Sequence, residues 1–113
     1  DGSFGLNGFE FDTAIRFGLP IVSIVGNDSG WGQIRTAQVN IMGEERAIAT
    51  SLAPTQYNKV VEALGGYGEH ITHPDELIPA LNRAFESGLP ACINVPIDPK
   101  GISKTSATTP YVV

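Results

Sequence analysis

Cysteine is nearly absent: the 113 residues include a single one, Cys92. One thiol closes no internal disulfide, and no Cys/His set at ligand spacing points to zinc. A lone Cys in the apolar run "PACINVPI" reads as a small buried hydrophobe, and a reducing, cytoplasmic setting is the expectation that goes with it. Cations are sparse as well. Seven Lys and Arg are scattered along the chain against twelve acids, for a formal net charge of −5. That distribution offers no basic stripe to a phosphate backbone, which argues against nucleic acid as a partner. Long hydrophobic runs are missing too. The longest, "LPIVSIVG", is far too short to cross a bilayer, so no membrane partner is expected. No secretory leader or transit peptide is visible.

What is present is enough apolar material, 42% of residues, for one small domain with a modest core. Asn7 is expected to cap a helix from about Gly8 to Phe17, with Phe11, Ala14 and Ile15 on its inner face and Gly18 as its stop. "PIVSIVGN" is a continuous apolar run bounded by Pro20 and Gly26, the pattern of a strand covered on both faces. "NDSGWG" is a loop by composition. A polar amphipathic helix is expected from about Gln33 to Ile41, and "GEERAIATSLAPTQ" carries no periodicity. Val60, Val61 and Leu64 mark one face of a helix starting at Tyr57 and ended by Gly65-Gly66. "GEHIT" is a short strand. Pro74-Asp75-Glu76 opens another helix, with Leu77, Leu81 and Phe85 facing inward until Gly88. "PACINVPI" is the last strand. Helix and strand thus alternate, which predicts an α/β fold: a parallel sheet with helices on both faces. Residues 1–98 form the domain and 99–113 a tail.

In such a sheet ligands sit beyond the C-terminal strand ends. Asn27 and Asp28 fall at one such end. "DGS" would lie beside them if a further strand ended just before Asp1, because one helix and one strand make the crossover between the two loops. Asp1 and Asp28 together would repel unless a cation lay between them, and hard oxygen ligands suit Mg²⁺ or Ca²⁺ with places left for phosphate oxygens. Glycines at 2, 5, 8, 26, 30 and 32 leave both loops bare enough for backbone to approach a diphosphate. The helix start after Asn7 adds a small positive field for an anion. Asp-Gly and Asn-Asp pairs also serve simply as turns, and spacing alone leaves both readings open.

The stretch "DGSFGLNGFEFDTAIRFGLPIVSIVGND" resembles the cofactor motif of thiamine diphosphate (TPP)-dependent enzymes, a Gly-Asp-Gly followed at this spacing by Asn-Asn. The likeness continues through "LAPTQYNKVVEALGGYG" and "PDELIPALNRAFESGLPACINV", and is greatest to the acetolactate synthase-like branch, which includes 2-hydroxyacyl-CoA lyases and oxalyl-CoA decarboxylases. It implies a partial TPP-binding domain lacking its first strands, so that the chain starts inside its own motif. It further implies that Asp1, Asp28 and the Gly30 carbonyl bind Mg²⁺, and that Gly2, Ser3, Asn27, Asp28, Gly30, Trp31 and Gly32 line the thiamine diphosphate. Asp28 stands where the family has its second Asn, exchanging an amide oxygen for a carboxylate oxygen on a hard cation.

The implied parent makes or cleaves a C–C bond next to a carbonyl, in 2-keto acid decarboxylation and carboligation. Its substrate would be a 2-keto acid or a 2-hydroxyacyl-CoA, it would be a homodimer or homotetramer, and FAD is possible elsewhere in it. The glutamate that activates the cofactor belongs to another domain in the family, usually of the neighbouring subunit. No catalytic residue is therefore assigned here, and the chain alone is expected to be inactive. Where biosynthetic acetolactate synthases carry a Met and then "QWQ", this chain reads "QIRTAQ" around Gln33 and Ala37, a departure that favours an acyl-CoA lyase or an undefined member of the branch. A non-catalytic module for Mg²⁺ and a nucleotide diphosphate is the alternative of another class. Trp31 either faces the cofactor or packs its loop. His70 and His73 read as surface histidines, Glu44, Glu45 and Arg46 as a solvated turn, and Tyr57 as a helix start packed on the core.

Overall fold

The computed structural model describes residues 1–101. Its helices are α1 (Gly2–Asn7), α2 (Glu10–Arg16), α3 (Gly32–Met42), α4 (Tyr57–Leu64) and α5 (Leu77–Glu86). Its strands are β1 (Val22–Asn27), β2 (Tyr67–His70) and β3 (Ala91–Pro96), and 3-10 turns occupy Glu44–Arg46 and Pro74–Glu76. The tail expected from residue 99 lies almost wholly outside the described residues.

The three strands are all parallel in the order β1-β3-β2, with Val25 and His70 both registered on Asn94. β3 is thus the central strand, and Ala91, Cys92, Ile93 and Asn94 are all buried. Alternation along β3 sends its side chains into two cores. Ala91 and Ile93 pack with Ile71, Ala80 and Ala84 under α5. Cys92 packs on the opposite side with Phe11, Val25 and Val61, where α2 and α4 lie. The expected helices on both faces are present.

Two local readings are corrected. The helix expected from Gly8 to Phe17 is present as α2, Glu10–Arg16, but a further short helix precedes it, and Asn7 is the last residue of that helix rather than a cap of the next. The Phe4 ring fills the space beside this junction. It packs 6.0 Å from Phe11 and 4.8 Å from Tyr57, measured between centroids. A side chain on Gly8 would collide with it, and Gly8 is buried. The start of the first helix therefore falls at Asp1 and not after Asn7. In α5, Phe85 is 65% exposed, and Ala80 and Ala84 carry the inner face with Leu77 and Leu81. Small side chains let this helix lie close against β3.

Gly65 ends α4 in the left-handed region at φ 102°, where a Cβ is penalised. Arg83 clips α5 to β2 through two bonds to the Glu69 carboxylate, at 2.8 and 2.7 Å, and this guanidinium holds the Glu69 carboxyl below its usual range.

Burial pushes the Cys92 thiol up to about 12. A thiol held protonated is not a nucleophile. Folded protein at pH 8 is expected to leave a thiol-reactive dye unconsumed at Cys92, with full reaction after denaturation; rapid modification of the native chain would contradict this burial. Because the thiol titrates higher when folded, stability from this group is complete at neutral pH and declines as pH rises past the unfolded value of about 8.5.

Candidate functional site

β1 delivers Asn27 to the C-terminal edge of the sheet, and the chain then turns through Asp28–Trp31 into α3. In a parallel pair successive residues point their backbone groups to alternate sides. The Asn27 carbonyl faces β3, where it accepts the Ile97 N–H, so that of Gly26 faces the outer edge. There the nitrogen of Asp1 donates to Gly26 O at 2.9 Å. The first residues of the chain are thereby held beside the loop that follows β1.

From that position the Asp1 carboxylate crosses the gap. Its Oδ2 accepts the Gly30 N–H at 3.0 Å, so the acidic residue of one loop is tied to the backbone of the other. Asp1, Gly2, Ser3, Asp28, Gly30, Trp31 and Gly32 all line one cavity of about 450 Å³. The two carboxylates thus occupy one edge of the sheet and one cavity. Asp28 curls back over Gly32, where a Cβ would collide with its Oδ2. The carbonyl of Gly30 accepts no hydrogen bond among the described residues. Trp31 lays its indole across Gly2, whose added Cβ would come within 2.7 Å of the ring, so it packs the loop onto α1 while still lining the cavity. The first-turn N–H groups of Gly2 and Ser3 have no acceptor inside the six-residue α1.

Asn27 sits differently. It is buried and does not line this cavity. Its Nδ2 donates to Thr55 O at 2.7 Å and to Asn94 Oδ1 at 3.1 Å, while its Oδ1 accepts the Ser29 N–H at 3.1 Å. The last bond closes a turn from Asn27 over Asp28 to Ser29, which stands at φ 53°, in the left-handed region. The turn therefore sets how Asp28, within it, and Gly30, just after it, face the cavity.

Several contributors escape a reading of the sequence. The aperiodic segment after Glu45 is a strap across the loop: Trp31 N–H donates to Thr50 O at 2.8 Å, and Leu52 N–H to Ser29 O at 2.7 Å. Asn94 is a second. Its signal was available, as the one amide inside the apolar run "ACINVPI". His70 is exposed at the end of β2, yet its Nδ1 lies 2.8 Å from Asn94 Nδ2, so it belongs to this network rather than to free surface. His73 is an exposed residue at the Pro74 turn, whose Glu76 accepts its N–H at 2.9 Å. Gln33 reaches the rim of the cavity, and Ala37 is half-buried further along α3. Glu44 pairs with Arg35 at 3.1 Å on an exposed turn.

Two carboxylates and a free carbonyl are a hard oxygen set suited to Mg²⁺ or Ca²⁺, and the bare glycine backbone leaves room for phosphate oxygens. Like charges facing one cavity favour a bound cation. The residues present fit the metal. Among the described residues no group of three or more His, Cys, Asp or Glu offers a competing site. No helix described is long and apolar enough to cross a membrane.

Gly32→Ala isolates the role of Asp28. The new methyl meets only the far end of a flexible side chain, so the carboxylate must swing away while the backbone stays. Affinity for a divalent cation with a diphosphate ligand is expected to fall about tenfold, with a thermal midpoint within a few degrees of wild type. Unchanged affinity would mean that Asp28 is not a ligand.

The family profile described as thiamine pyrophosphate enzyme, C-terminal TPP binding domain, matches residues 1–95. A probable acetolactate synthase of Mycobacterium bovis is 46% identical over 100 residues, 88% of this chain and 18% of the relative. A 2-hydroxyacyl-CoA lyase of Oryza sativa is 41% identical over 103 residues, again 88% of this chain and 18% of the relative. The human 2-hydroxyacyl-CoA lyase 2 is 36% identical over 100 residues, 84% of this chain and 16% of the relative. The chain thus spans less than a fifth of the length of these curated relatives.

Proposed function

Given that this chain belongs to the thiamine pyrophosphate enzymes, as their C-terminal TPP-binding domain, we propose that it anchors thiamine diphosphate through one Mg²⁺ held by Asp1, Asp28 and the Gly30 carbonyl. The observation that carries this reading is the single cavity lined by both carboxylates, with Asp1 bonded across to Gly30. Gly2 and Ser3 offer backbone N–H groups to the diphosphate, Gly32 leaves space for Asp28, and Trp31 fixes the loop against α1. Asn27 acts from behind, shaping the turn. When bound, the cofactor supplies the carbanion chemistry, and the protein's share is to bind and orient it.

The parent activity we propose is making or cleaving a C–C bond next to a carbonyl in a 2-keto acid or 2-hydroxyacyl-CoA, in an acetolactate synthase-like homodimer or homotetramer. The lyase direction has its own support in "QIRTAQ" and in the lyase relatives. Calorimetry on the full-length protein with thiamine diphosphate and with ADP, each with and without Mg²⁺, tests the anchoring. Binding of thiamine diphosphate that disappears without Mg²⁺ is the expected result. Equal binding of ADP would replace this reading with a nucleotide-binding module.

A further inference from the structure

A row of polar side chains crosses the C-terminal ends of all three strands: Asn27 on β1, Asn94 on β3 and His70 on β2. Its middle member is 1% exposed in the central strand. A buried amide is costly unless every link is made, and an apolar residue of similar shape serves a sheet core equally well. Packing alone therefore does not account for Asn94; what it connects does.

The direction of every hydrogen bond in the row is fixed by two backbone groups. Thr55 O can only accept, so the atom of Asn27 beside it is the NH₂. Ser29 N–H can only donate, so the atom of Asn27 beside it is the oxygen. The second N–H of Asn27 then requires the Asn94 oxygen to face it, which turns the Asn94 NH₂ toward His70. His70 Nδ1 must accept, and its ring proton resides on Nε2. The two histidine tautomers are not interchangeable here.

We propose that Asn94 and His70 are positioning residues for the Asn27–Ser29 turn, with His70 in the Nε2–H tautomer. The turn holds Ser29 at φ 53° between Asp28 and Gly30. Loosening Asn27 lets Ser29 relax toward ordinary backbone and moves both residues relative to Asp1. An exposed strand-end residue that touches no ligand thus sets the geometry of the site. The consequence for cofactor affinity rests on the function proposed above; the consequence for the turn does not.

The test uses the full-length protein. Nitrogen NMR of labelled histidine is expected to show His70 Nδ1 without a proton and Nε2 with one, in protein free of cofactor. Amide exchange at Ser29 is expected to speed up about five- to tenfold in His70→Leu, the loss of one hydrogen bond in the row. In His70→Asn it stays near wild type, because an amide oxygen replaces Nδ1 as acceptor. Thiamine diphosphate affinity should follow the same order, with Leu weakened and Asn retained. His70 is exposed, so neither variant opens a cavity in the core. A proton on Nδ1, or identical behaviour of the Leu and Asn variants, would overturn the proposal. If exchange follows the expected order while the wild-type protein binds no thiamine diphosphate, the positioning role stands and the anchoring function falls.

Discussion

Asp1→Ala in the full-length protein is expected to weaken Mg²⁺-dependent binding of thiamine diphosphate by about a hundredfold or more, since removing even an outer partner of a metal ligand costs about ten- to a hundredfold. Two losses combine. The cation gives up a carboxylate, and the Gly30 N–H gives up the acceptor that bridges the two loops at 3.0 Å. Asp1→Asn separates them, because an amide oxygen still accepts from Gly30 but carries no charge. Its affinity should fall between those of alanine and wild type, with the loop geometry kept. Alanine binding as tightly as wild type, measured by calorimetry at saturating Mg²⁺, would remove Asp1 from the site.

The second large effect is on stability. Ile93 is fully buried in the central strand and packs with Ala80, Ala84 and Ile71. Ile93→Ala is expected to cost about 2–5 kcal/mol, from lost burial together with a cavity that neighbouring alanines cannot fill. Set against a domain stability of about 5–15 kcal/mol, that is a severe loss, read as a drop in denaturant midpoint. Phe85→Ala is the paired control. Although larger, Phe85 is 65% exposed, and its removal should stay within about 0.5 kcal/mol. Equal costs at the two positions would contradict the assignment of the inner face of α5.

That contrast also marks where the sequence was readable. The apolar runs at 21–25 and 90–97 carried enough pattern to give two parallel strands, and a parallel sheet sends Asn27 and Asp28 to its ligand-binding edge. The meeting of Asp1 with that edge followed from chain connectivity. Side-chain competition was not readable. Phe85 shares a helical spacing with Leu77 and Leu81, and only the packing against β3 leaves it outside while Ala80 and Ala84 join the two leucines on the inner face. The Phe4 ring packs between the first helix and the core through contacts with Phe11 and Tyr57, one of them distant in sequence. The strap from Thr50 to Thr55 has no period because its backbone bonds go to a loop and to the Asn27 side chain, not to the ladder of a regular element. Asn94 and His70 join Asn27 only once strand order is known, since β3 enters the sheet between two strands that precede it in the chain.

The most direct measurement of the central claim is anomalous scattering from crystals of the full-length protein grown with thiamine diphosphate and Mn²⁺ in place of Mg²⁺. One manganese peak is predicted within coordination distance of the Asp1 carboxylate, the Asp28 carboxylate and the Gly30 carbonyl, with a diphosphate oxygen completing the set. A peak that leaves either carboxylate out of reach, or a diphosphate bound in this cavity with no metal beside it, would contradict the account.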